Sequence, residues 1–198
     1  MQLQAAQPGS PPPLRLAGTL CARLCHDLAG TLGALTGTLE LAEAEPDAET
    51  LAVALACARE LTARLRLLRA AWAPDGSCGD LAILARGLPG SERLRVDVND
   101  AAGLDAPMQR LALALMMVAA SALPRGGAIR LGVTGSSLSV EIDGPGWAWP
   151  AALAGCLGEA GLNEAAGSPR GVACAMARLL AEEGGRTLRL DGACLTAA

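Results

Sequence analysis

The chain has no phenylalanine and no tyrosine, and three tryptophans are its only large aromatic side chains. Yet 52% of its 198 residues are hydrophobic, so a core has to be built from leucine, alanine and valine, a composition that favours helices. There is no basic run and the net charge is −4, which leaves nucleic-acid binding without its electrostatic footprint. The longest apolar stretch, Leu111 to Leu123, is too short to span a bilayer, so a membrane partner is not expected. The opening MQLQAAQPGSPPP lacks the basic start and apolar stretch of a signal peptide and reads as a disordered tail over residues 1–13. Seven cysteines include no CxxC pair, which suits reduced thiols and a cytoplasmic location.

What is present falls into two halves with different periods. From Leu14 to Trp72 the pattern is helical, and residues 14–73 form the first expected domain. Leu16, Leu20, Leu24, Leu28, Leu32, Leu35 and Leu39 recur at steps of three and four, as one buried stripe requires. Pro46 and Asp47 stop one helix and start another, which carries Leu51, Leu55, Leu61, Leu65, Leu68 and Trp72. Arginines 64, 66 and 69 near its end suit the helix dipole. The short connection predicts an antiparallel hairpin. After a Pro/Gly-rich linker, Ala73 to Asp80, residues 79–198 form the second domain. DLAILARGL reads as a short helix, RLRVDV as a strand and Asp105 to Leu123 as a long apolar helix. AIRLGV and SLSVEI pair around a TGS turn. Trp149 to Leu157 and Gly171 to Glu183 are helices, with RTLRL and ACLT as closing strands. The expected fold class is α+β, a helical hairpin followed by a two-layer α/β sandwich.

The only histidine, His26, lies in LCARLCHDLAG. At about 100° per residue it projects roughly opposite the leucine stripe, on the wet face. Arg23 precedes it by one turn, and Gly30, Gly33 and Gly37 follow at helical spacing. Each glycine inside a helix costs about 1 kcal/mol relative to alanine, so three on one surface call for a reason. A bare surface beside an exposed histidine lets another protein's backbone come close. The alternative is a helix broken or tightly packed at that point, with a structural histidine. A metal site would draw on Cys21 and Cys25, but four ligands at recognisable spacing are missing. Ser–His–Asp hydrolysis lacks a GxSxG elbow.

RLCHDLAGTLGAL resembles the phosphoacceptor box of bacterial histidine phosphotransferases of the ChpT type, a variant of the H-D/E-L-x-x-P box of sensor histidine kinases. Thr31 stands where such boxes usually carry proline. The resemblance implies a hairpin that dimerises into a four-helix bundle, and a second domain shaped like a degenerate histidine-kinase (GHKL/Bergerat) ATP-binding domain. It implies His26 as phosphoacceptor, Asp27 as its adjacent acid and Arg23 as a phosphate-side neighbour. In the second half, LALALMMVAASALPRGG resembles the kinase N-box, with Val118 at the metal-binding asparagine and Ala114 at the acid before it. VEIDGPGW resembles the first glycine box, with Ile142 at the adenine-reading aspartate, or Asp143 if the alignment shifts by one. The second box has Pro169 and Arg170 in its middle, and proline removes a backbone N–H that a phosphate cradle would use. No bound ATP, other cofactor or metal is therefore expected.

Phosphotransfer needs an unprotonated ring nitrogen, and imidazole as a group titrates near neutral pH. Asp27 would hydrogen-bond one nitrogen and leave the other as nucleophile, or it is merely a solvated helix acid. Mg²⁺ would come from the partner receiver domain. Arg64 and Arg66, level with His26 in the folded hairpin, would meet the acidic rim of a receiver together with the glycine face. The expected partners are a second copy, the receiver domain of a hybrid histidine kinase and response-regulator receivers. A different class of function, a non-catalytic kinase-like dimer that binds or sequesters a signalling partner, also suits these features, and an active ATP-dependent kinase is a third reading.

Overall fold

Asp47 sets the start of the second helix of the hairpin. Its carboxylate accepts a 2.8 Å hydrogen bond from the Thr50 amide and another from the Thr50 hydroxyl, capping helix α2 (Ala48–Trp72). The hydroxyl first and the amide second hold the Asp47 carboxyl below its usual range. Helix α1 (Pro13–Ala44) runs antiparallel to α2, and Thr31 Oγ1 lies 3.4 Å from Glu60 Oε1 across the pair. In this computed structural model the described residues are 13–45, 47–72, 79–99, 101, 103–158 and 161–198. The expected tail, apart from Pro13, and the linker over 73–78 lie outside them, as does Pro46.

α1 is continuous through Gly30, Thr31, Gly33 and Gly37. Its leucines at 16, 20, 24, 28 and 35 are half-buried, whereas Leu32 and Leu39 remain exposed. On α2 the leucine stripe at 51, 55 and 65 is not the buried line: these three side chains stay about half exposed. The buried residues are instead Ala54, Arg64, Leu67, Ala70 and Ala71. Most of this line is alanine, which carries too little hydrophobic signal to stand out among leucines.

The second half opens on α3 (Leu81–Leu84), capped by Asp80, which accepts from the amides of Ala82 at 2.8 Å and Ile83 at 3.3 Å. Two single 3₁₀ turns, Ala85–Gly87 and Ser91–Arg93, lead into β1 (Leu94–Val98). Helix α4 (Ala106–Ser121) is capped by Asp105, which accepts from the Met108 amide at 2.9 Å. Then come β2 (Gly127–Thr134), β3 (Ser137–Asp143), α5 (Ala151–Leu157), α6 (Leu162–Ala166), α7 (Val172–Glu183), β4 (Leu188–Asp191) and β5 (Cys194–Ala197). The sheet order is β1-β2-β3-β5-β4. β1 pairs with β2 in parallel, through the α4 crossover, and every other pairing is antiparallel. The mixed α+β class expected from the sequence is therefore present. α6 went unanticipated because its five residues are shorter than two helical turns.

The sheet is covered on one side. Ile129, Leu131, Leu138, Val140, Ile142 and Leu195 alternate inward, towards the side where α4 packs on β2 and β3 and α7 packs on α4, and are almost fully buried. The outward positions carry Arg130 and Glu141, 3.3 Å apart. Leu67, Ala70 and Ala71 of α2 join this same core, so the end of the hairpin is welded to the domain. Gly87 permits the seam: a Cβ there would stand 2.4 Å from the Ala63 carbonyl oxygen. Among the described residues no helix is long and apolar enough to cross a membrane.

Candidate functional site

The helical phase of α1 turns His26 outward, and its side chain is 83% exposed. Asp27 points partly inward beside it. Asp27 Oδ1 is 3.4 Å from His26 Nδ1, and Asp27 Oδ2 accepts a 2.8 Å hydrogen bond from Arg23 Nε one turn back. The carboxylate therefore faces both the arginine and the imidazole and leaves His26 Nε2 towards solvent. Arg23 also donates from Nη1 to the Pro169 carbonyl at 3.4 Å, a contact across 146 residues of sequence. The segment before α7 thus reaches the helix that carries the histidine.

The three glycines after His26 are bare. A Cβ at Gly30, Gly33 or Gly37 would meet nothing within 4 Å. Neither a break in the helix nor close packing within the chain accounts for them. Directly past the histidine they leave one or two turns of helix backbone uncovered.

Arg64 and Arg66 part company. The Thr31–Glu60 contact sets the hairpin register, and one turn along each helix brings Asp27 and Arg64 to the walls of one cavity. Arg64 is not on the outer surface where a docking role had placed it: it is 9% exposed, turned between the hairpin and the domain by the same phase that buries Leu67. Its Nη2 lies 3.7 Å from Glu60 Oε1, and its Nε has no hydrogen-bond partner among the described residues. Arg66 is exposed and lines a separate, wide groove between α2 and the β1 edge, with Arg59 and Arg86.

In the second domain Val118 and Ala114 have no exposed surface, and Ile142 is 2% exposed. All three are core residues of the α4–sheet interface. Asp143 lies on the outer, solvent side of the sheet near Arg130, away from α4. Pro169 and Arg170 are exposed. Among the described residues no three His, Cys, Asp or Glu side chains gather as a metal site would require. The burial of Arg64 and the Pro169 contact were not readable from periodicity, because both depend on how the second domain folds back on the hairpin.

These features define a class: a helical hairpin presenting one exposed, carboxylate-flanked imidazole, packed through the end of α2 onto a one-sided α/β domain. The family described as histidine phosphotransferase C-terminal domain matches residues 78–193, more than half of the chain. The chain belongs to this histidine phosphotransferase family. It is 30% identical over 145 residues to the protein phosphotransferase ChpT of Brucella abortus (strain 2308). That match takes in 62% of this chain and 63% of the relative, so it spans less than two thirds of the relative's length. A solved structure of a bacterial phosphotransferase superposes over 100% of both chains with a TM-score of 0.74 at 23% identity, a likeness of fold.

Proposed function

We propose that this chain is a phosphorelay carrier that holds a phosphoryl group on His26 between receiver domains. A hybrid histidine kinase's receiver would supply the group, and response-regulator receivers would take it. In the first step the lone pair of His26 Nε2 attacks the phosphorus of an aspartyl phosphate. An N–P bond forms, the P–O bond to the aspartyl oxygen breaks, and the receiver's carboxylate leaves with that electron pair. The second step is the reverse on another receiver. Asp27 accepts from Nδ1–H, holding the tautomer that leaves Nε2 unprotonated and steadying the positive charge that develops on the ring. Arg23 keeps Asp27 in place. Mg²⁺ would be held by the receiver, where it offsets phosphoryl charge; no side chains of this chain are assigned to it.

The observation that carries the reading is the pairing of an imidazole that is 83% exposed with an anchored carboxylate and an open glycine face. The bare turns suit the close approach of a receiver, and Arg66 adds a positive edge that would steer an acidic one. The half-exposed leucines at 51, 55 and 65, with Leu32 and Leu39, suit burial against a second copy in a four-helix bundle. The second domain fits a kinase-like ATP-binding fold that has lost its ligand: apolar, buried Val118, Ala114 and Ile142 offer nucleotide nothing.

The experiment is transfer from radiolabelled, phosphorylated receiver domains of the source genome. Label should pass to the wild-type chain and not to His26→Ala, with the mutant's mass in light scattering and its melting temperature nearly unchanged. A mutant that takes label as fast as wild type refutes the carrier role. Loss of fold in that mutant would instead make His26 structural. If no receiver labels a chain that binds one stoichiometrically, the protein is a sequestering module.

A further inference from the structure

The side of the sheet that packs on α4 is not closed at its β1 edge. Leu94 and Val96 point to the same side as Ile129, the in-register neighbour of Val96, and Ile129 is fully buried. Leu94 and Val96 themselves are only half-buried, because the helix over them is the four-residue α3. Between this edge and α2 runs an open groove of about 1090 Å³. On the α2 side it follows Ala56 to Arg66, a length of about 15 Å, or nearly three helical turns. Ile83 of α3 stands in the other wall with 53% of its surface exposed.

Charge frames this groove unevenly. Arg59 and Arg66 lie two turns apart on α2, and Arg86 lies on the domain wall, in the 3₁₀ turn Ala85–Gly87. All three are exposed, and none makes an ion pair or hydrogen bond with a described residue. The two acids of the lining are already answered, Glu60 by Arg64 at 3.7 Å and Glu92 by Arg93 at 3.3 Å. Three unanswered cations around apolar side chains, in a chain whose net charge is −4, are complementary to a molecule that brings both carboxylates and apolar surface.

We propose that this groove docks a helix of a second protein, apolar underneath and acidic along both flanks, and that this protein is neither donor nor acceptor of the phosphoryl group. A helix fits because the place it fills is a gap in a helical layer: it would cover Leu94, Val96 and Ile83 as α4 covers the neighbouring strands. Acids two turns apart on one flank would meet Arg59 and Arg66, and an acid on the other flank would meet Arg86. His26, Asp27 and the three glycines after them do not line the groove, so an occupant leaves them open to a receiver. That the partner is distinct from a receiver rests on the carrier role of His26; the fit of the helix does not.

The test uses the full chain and a fluorescein-labelled, hydrocarbon-stapled peptide helix of about three turns, with leucines along one face and glutamates on both flanks. Its anisotropy should rise saturably, and a version with lysine for every glutamate should bind about tenfold more weakly or worse. Arg59→Glu combined with Arg86→Glu should weaken the acidic probe by about tenfold, and Ile83→Ser by about threefold. These side chains are exposed, so thermal melts of the variants should match wild type. Label should pass from a phosphorylated receiver as fast with the probe bound as without it. The docking site is refuted if the acidic probe does not saturate, if the lysine version binds as well, or if the variants keep wild-type affinity. A bound probe that blocks transfer would make the groove part of the receiver's own footing and overturn the choice of partner.

Discussion

The hairpin and the second domain are made of the same few residue types and finish in opposite states. In the domain, Leu113, Leu115, Leu131 and Leu138 have no exposed surface, and one layer of helices closes one face of the sheet. In the hairpin, Leu14, Leu41, Leu51 and Val53 are exposed, and glycines at 30, 33 and 37 face open space. The domain is complete within one chain. The hairpin is complete only where α2 enters the domain core at Leu67, Ala70 and Ala71, and elsewhere leaves leucines half exposed and glycines bare. Composition alone does not separate a core from an interface; what separates them is whether the fold supplies a second layer.

The sharpest way to break this comparison is to truncate one leucine in each region. Leu115→Ala, fully buried on α4, should cost about 3 kcal/mol in urea melts. Leu55→Ala, about half exposed on α2, should cost well under about 1 kcal/mol in the monomer and act mainly on assembly, read by light scattering. Equal costs in the monomer would mean that the hairpin is as finished as the domain.

The glycines should give smaller effects of opposite sign. Gly87→Ala drives a methyl into the Ala63 carbonyl at the seam and should destabilise by about 2 kcal/mol. Gly30→Ala meets open space inside a helix and should stabilise by about 1 kcal/mol, while slowing phosphotransfer if the bare turns receive a receiver. Faster or unchanged transfer in Gly30→Ala and in bulkier Gly33 variants would remove the docking role of that face.

Alkaline pH should weaken the domain through its two buried thiols. Burial pushes the Cys156 thiol up to about 11, with Arg178 pulling the other way. Burial, and then the neighbouring Cys156, push Cys174 up to about 12. Both folded values exceed the ordinary 9.0, so folded thiols keep protons that the unfolded chain releases. Stability is full below that value and declines as pH rises through the two folded values. The exposed Cys21 and Cys25 on α1 should alkylate at once in the native protein, and Cys156 and Cys174 only on unfolding, read by peptide mapping.

Much of this was legible beforehand where the signal is local. Helix phase alone turned His26 to solvent, Asp47 marked a helix start, and the alternation of AIRLGV and SLSVEI gave the central strand pair. What could not be read is set by long-range packing. The alanine line of α2 is buried because the domain folds onto it, and that same contact turns Arg64 inward. The link from Arg23 to the Pro169 carbonyl, like the parallel placement of β1, exists only once distant segments meet.

The most direct measurement is site mapping of phosphate on the intact chain after exposure to a phosphorylated receiver, by mass spectrometry under alkaline handling. One phosphoryl group per chain is expected, on His26, lost in acid and kept in base, and absent from His26→Gln. Phosphate on any other residue, or an acid-stable label that persists in His26→Gln, would contradict the assignment.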